Sequence, residues 1–83
     1  MTHQGLKLWT PAEYRIRVQG TLDSSCSDWL GGMSITATGE GDEAPVTTLV
    51  GRLLDQAALM GVLDTLYNCY HCPLLSVEYL DRE

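Results

Sequence analysis

Phenylalanine is absent from this 83-residue chain, so Leu, Val, Ile, Trp and Tyr must fill whatever core it builds. Basic residues are scarce: five Lys and Arg stand against eleven Asp and Glu, for a formal net charge of −6. That balance leaves no broad cationic surface for a phosphate backbone, so no nucleic-acid partner is expected. An anionic membrane surface would repel the chain as well. No apolar run is long enough to span a bilayer, the longest being the amphipathic stretch from Ala57 to Leu66. Met1 to Thr10 lacks the apolar core of a signal peptide. A cytoplasmic protein with no membrane association is therefore expected. Cysteine occurs three times, an odd number that argues against a closed disulfide framework.

The signatures of catalysis are missing too. There is no nucleophile elbow, no H-E-x-x-H zinc motif and no phosphate loop. Gly39-Glu40-Gly41-Asp42-Glu43-Ala44 matches G-x-G-x-x-A on paper, but Pro45 and a strand follow it where a dinucleotide site needs a helix. Glu40, Asp42 and Glu43 lack the spacing of an EF-hand calcium loop and read as a solvated loop. The two histidines are His3, in an N-terminal tail, and His71. No enzyme and no bound cofactor are expected.

What is present describes one α+β domain. Residues 1–11 have no clear period and read as a tail, with Leu6, Leu8 and Trp9 available to dock on the body; residues 12–83 form the domain. Tyr14, Ile16, Val18 and Leu22 alternate with polar residues, the period of a half-buried strand. Asp23 to Asp28 has the composition of a turn. A second strand is expected from Trp29 to Thr38, with Gly31 and Gly32 marking a bulge or close packing, and a third from Val46 to Leu54. Asp55 is placed to cap a helix whose apolar stripe is Ala58, Leu59, Val62, Leu63 and Leu66. Asn68 would end it in a left-handed cap, and Leu74 to Leu80 is a last strand, with Leu75, Val77 and Tyr79 half buried. The order β-β-β-α-β predicts a four-stranded, mainly antiparallel sheet with one helix on one face. A chain of this size buries only about 60% of its unfolded surface, which favours stabilisation by a partner, and a homodimer or other homo-oligomer is expected.

Several stretches resemble a family of small bacterial proteins of unassigned function. They are Y-x-I-x-V-x-G-x-L from Tyr14 to Leu22, W-x-G-G-M-x-I from Trp29 to Ile35, L-x-G at Leu49 and Gly51, and L-L-S-V-E from Leu74 to Glu78. The most specific is D-Q-A-A-L-x-G-x-L from Asp55 to Leu63. The resemblance implies a compact bacterial domain and carries no activity. It departs from the family's usual pattern at Met60, where a His is usual, and at Cys69-Tyr70-His71-Cys72, where a short Leu-Gly turn is usual.

Two groups of residues are candidate sites. The sheet face turned away from the helix should carry Arg15, Arg17, Gln19, Thr21, Ser34, Thr36, Thr38 and Arg52. A solvated face is the plain reading. The sharper reading is a binding surface, centred on Arg15, Arg17, Thr36 and Arg52, for a second copy, an acidic protein partner or a small anion. The other group is Cys69 and Cys72, whose spacing suits a disulfide or two ligands of a zinc ion. Against redox catalysis, the pair follows the helix C-terminus, where the dipole disfavours thiolate. Against a closed zinc site, only Cys26, His3 and His71 remain as further ligands, and none has the spacing of a second pair. Two small, partly buried side chains in a turn is the plain reading there, and Cys26 reads as an exposed thiol. The expectation is a protein-interaction or ligand-binding module acting through its sheet face or an edge strand. The alternative is a metal- or redox-responsive protein that uses the Cys turn.

Overall fold

The computed structural model describes residues 7–39 and 44–80. The expectations placed on Leu6, His3, the Glu40–Glu43 acidic cluster and the charged C-terminal end lie outside these residues. Four strands and one helix appear in the expected order: β1 (Ala12–Gln19), β2 (Ser34–Thr38), β3 (Val46–Leu53), α1 (Gln56–Asn68) and β4 (Leu74–Leu80). A short 3-10 helix, Ser24–Trp29, precedes β2. The strands form one antiparallel sheet in the order β2-β3-β1-β4. β1 is thus enclosed by β3 and β4, which run parallel to each other with β1 between them. That geometry demands the long connection that α1 supplies.

Period-two alternation sets the two faces. Ala12, Tyr14, Ile16 and Val18 of β1 are buried, as are Thr47, Leu49 and Leu53 of β3. Leu59, Val62 and Leu66 of α1 close over them, with Ala58 and Leu63 at the margin of the core. The helix begins as its sequence requires. Asp55 is extended, and its Oδ1 accepts from Ala58 N at 2.8 Å. Gln56 fixes the helix start to the body: its backbone N–H donates to the Leu8 carbonyl at 2.8 Å, and its side-chain amide donates to the Tyr14 hydroxyl. The segment before β1 is therefore held by its backbone, while the side chains of Leu8 and Trp9 stay exposed, with Lys7 Nζ lying 5.8 Å from the Trp9 ring centre.

The expected second strand is too long. β2 starts only at Ser34, because Gly31 and Gly32 take φ of 70° and 72°, left-handed values that a strand does not use. Residues 24–33 instead fold as a lid. Leu30 and Met33 are fully buried, and the Ser27 hydroxyl ties the lid shut by donating to the Met33 carbonyl at 2.8 Å. Trp29, at the end of the 3-10 helix, is 75% exposed. β1 likewise ends at Gln19 rather than Leu22, although Leu22 is buried in the core. Thr47 makes that exit possible. Its buried hydroxyl donates to the Gly20 carbonyl at 2.6 Å and accepts from Leu22 N at 3.2 Å, satisfying two backbone groups that have left the sheet. The left-handed residue after α1 is His71, with φ of 55°, rather than Asn68. The bend lets Cys72 N–H return to the Leu66 carbonyl at 3.1 Å.

Two substitutions test this packing. Thr47→Val leaves a buried N–H and a carbonyl unpaired and should lower unfolding free energy by about 1–3 kcal/mol. A methyl on Gly51 would sit 3.0 Å from Met33 Cα, so Gly51→Ala should cost about 1–3 kcal/mol through overpacking. Urea denaturation reads both. As a contrast, Gly61 has open space around it in α1, so Gly61→Ala should stabilise by about 0.5–1 kcal/mol.

Candidate functional site

The face turned away from the helix is organised as cross-strand rows. Thr36, Thr48, Arg17 and Ser76 form one row, and Ser34, Val50, Arg15 and Glu78 the next. Arg52 stands further along, opposite Glu13. Arg15, Arg17 and Thr36 thus share a surface as expected, and Arg52 lies at its end. The partner that sequence reading left out is Glu78. Arg15 Nε donates to Glu78 Oε1 at 2.7 Å, and Arg17 Nη1 reaches the same oxygen at 3.4 Å. β4 therefore brings a carboxylate between the two guanidinium groups and offsets half of the charge they would offer an anion. The Arg15 hydrogen bond, with the charge of both arginines, holds the Glu78 carboxyl below its usual range, and Glu78 in turn raises Arg15.

One polar atom on this face is anomalous. Ser76 Oγ is covered yet has no hydrogen-bond partner among the described residues. An orphaned hydroxyl of this kind calls for an explanation, because its desolvation is uncompensated.

The opposite side of β4 is apolar and poorly covered. Tyr79 and Val77 stand on the core-facing side beside Tyr14 and Ile16, and the Tyr14 and Tyr79 rings lie 6.0 Å apart. Yet Val77 is 38% exposed and Tyr79 36%, while Leu74 and Leu75 are more open still. The expectation that Leu75, Val77 and Tyr79 are half buried fails at all three, and furthest at Leu75. Leu75 is the extra residue of a bulge where the pairing shifts between Arg17 and Val18, and half its surface is open. Between α1 and the start of β4 lies a groove of about 660 Å³, walled mainly by apolar side chains, among them Met60, Leu63, Tyr67, Pro73 and Leu74, with Asp64 its one charged residue. A smaller hollow of about 420 Å³, reaching Asn68 and His71, adjoins it at Tyr67 and Cys72. Met60 and Tyr67 are largely exposed along its rim. β4 also forms one edge of the sheet. Its seven residues bear a single charge, on Glu78, whereas the other edge, β2, is a five-residue strand rich in hydroxyls. Long, flat, apolar edges are the ones that pair with other chains.

The cysteines divide differently from expectation. Cys69 is exposed and Cys72 half buried, and both are free thiols. Cys26 is not an exposed thiol: it is half buried and packs against the core, as does Tyr70. Interaction with Cys26, then desolvation and the nearby Cys69 sulfur, raise the Tyr70 pKa. Burial pushes the Cys72 thiol up, and its S–H points to the Tyr70 carbonyl at 3.7 Å. Among the described residues no set of three or more His, Cys, Asp or Glu side chains gathers as a metal site. None of their helices is long and apolar enough to cross a membrane.

Residues 13–78 match the family described as "Domain of unknown function (DUF8691)", and the chain belongs to that family. No curated protein and no solved structure matches it. The match spans β1 to nearly the end of β4, so the edge strand and the groove are built from the family domain itself.

Two measurements follow from this geometry. Glu78 is lowered when folded, so its contribution is fully present above the unfolded carboxylate pKa and is lost as pH falls through the lower folded value. As pH drops below about 4, wild-type Tm should fall more steeply than that of Glu78→Gln. The effect is small, because the pair is exposed. Alkylation of the native protein with iodoacetamide, followed by mass spectrometry, should modify Cys69 well before Cys26 and Cys72.

Proposed function

We propose that this chain is a small protein-interaction module rather than an enzyme, and that its working surface is the β4 edge with the adjoining α1–β4 groove. The observation that carries the reading is the coincidence of three features on one side of the molecule. The edge is long and nearly uncharged, the core-facing side chains of β4 are left open, and an apolar groove continues from the same strand onto α1. An extended segment adding to such an edge gains main-chain hydrogen bonds for affinity and side-chain contacts for specificity. Exposed apolar surface that continues over two elements marks interaction sites in soluble proteins. The face carrying Arg15 and Arg17 is a weaker choice, because Glu78 already occupies both guanidinium groups.

The test is a comparison of associations made by the wild type and by Tyr67→Ala/Leu75→Lys, both sites being exposed enough for the fold to survive. Every stable association of the wild type, with itself or with proteins of its source cell, should weaken at least about tenfold in the variant. An association that survives the double change, or a wild type that associates with nothing, contradicts the reading.

A further inference from the structure

Resting on the interaction reading, we infer that the occupant of the β4 edge is a second copy of this chain. It pairs antiparallel about a two-fold axis through Val77, and the two sheets join into one of eight strands. Four observations carry this. First, β4 is self-complementary in that register. Val77 meets its own copy, Leu75 comes beside the partner's Tyr79, and Ser76 lies opposite the partner's Glu78. Apolar residues then face apolar ones, and the lone carboxylate faces a hydroxyl.

Second, the register resolves the Ser76 anomaly. Its hydroxyl has no hydrogen-bond partner among the described residues. Rotated toward the free edge, it meets a carboxylate whose Oε1 is held by Arg15 and whose second oxygen is available. Third, the next two-fold register toward the C-terminus, and the one that breaks the two-fold, are worse. Slipping each strand by one residue, so that the axis passes through Glu78, would set two carboxylates directly opposite. Pairing Ser76 with the partner's Val77 would turn core-facing side chains onto the polar face. Fourth, the axis stands perpendicular to the sheet. Both helices therefore lie on the same side, and each brings its groove, with Met60 and Tyr67 on the rim, beside the start of its own β4. The open surface of Val77, Tyr79 and Leu74 is then covered by its own equivalent. An isologous interface of this kind needs no second binding patch.

The register makes a prediction whose sign differs between monomer and dimer. Within one chain Ser76 stands beside Arg17. Ser76→Glu should therefore stabilise the monomer and Ser76→Lys destabilise it. Across the axis Ser76 faces Glu78, so Ser76→Glu should weaken the dimer and Ser76→Lys should not.

Sedimentation equilibrium and native mass spectrometry of the full chain test this, with circular dichroism as the check on folding. The wild type should dimerise, and Val77→Lys and the more exposed Leu75→Lys should each raise the dimer dissociation constant at least about tenfold while folded. Ser76→Glu should weaken the dimer by more than Ser76→Lys does. A wild type that stays monomeric at the highest concentrations overturns the inference. It leaves the interaction reading to its own test with other proteins. A dimer indifferent to both lysine substitutions, or one weakened by Ser76→Lys and not by Ser76→Glu, also overturns it.

Discussion

One helix cannot cover four strands. A helix is about 10 Å across, and strands lie about 4.8 Å apart, so α1 shields roughly two of them. Much of this molecule follows from that shortfall. The helix lies against β3, and the 3-10 lid closes over β2. Met33 and Leu30 come down from the lid into the space the helix does not reach. The lid lets the core extend beyond the helix, but it comes from the β1–β2 connection and serves the β2 side of the sheet. Nothing equivalent among the described residues covers β4.

The features that hold the covered part together are specific rather than bulky, as a chain without phenylalanine requires. Thr47 satisfies the backbone where β1 departs, and Gly51 clears space for Met33. Asp55 and Gln56 fix where α1 begins. The run from Asp55 to Leu63, the most specific part of the resemblance, is accordingly structural in what it does. It supplies the cap, the anchor to Tyr14 and the first turns of the buried stripe. Tight, local solutions of this kind secure three strands and leave the fourth held through its pairing with β1 and the Arg15–Glu78–Arg17 cluster.

The fold was legible wherever side-chain period decides structure. Alternation in Tyr14–Val18, the stripe of Leu59, Val62 and Leu66, and the Asp55 cap placed β1 and α1 correctly, with strand ends off by a few residues. It failed between Leu22 and Met33. Apolar residues near a glycine pair there read as a strand, while left-handed Gly31 and Gly32 in fact bring Leu30 and Met33 into the core from a turn. Cys26 lies in the same stretch, and its half-buried place against the core depends on residues far along the chain. The candidate site was half legible. Sequence alternation assigned Arg15, Arg17 and Thr36 to one face but could not show that strand order seats Glu78 beside the arginines. Nor does a period of two reveal whether the apolar side of a strand is covered. That depends on which strands the helix lies over, and it is why the openness of Val77 and Tyr79 emerged only in three dimensions.

The central claim is that β4 is an edge made to be paired. Hydrogen exchange of the backbone amides of Leu74–Leu80, followed over a wide range of protein concentration, tests it most directly. Protection confined to one side of β4 at high dilution, rising as concentration increases while that of β2 stays constant, is the result this account predicts. Protection of β4 that does not change with concentration, or that rises equally at β2, would contradict it.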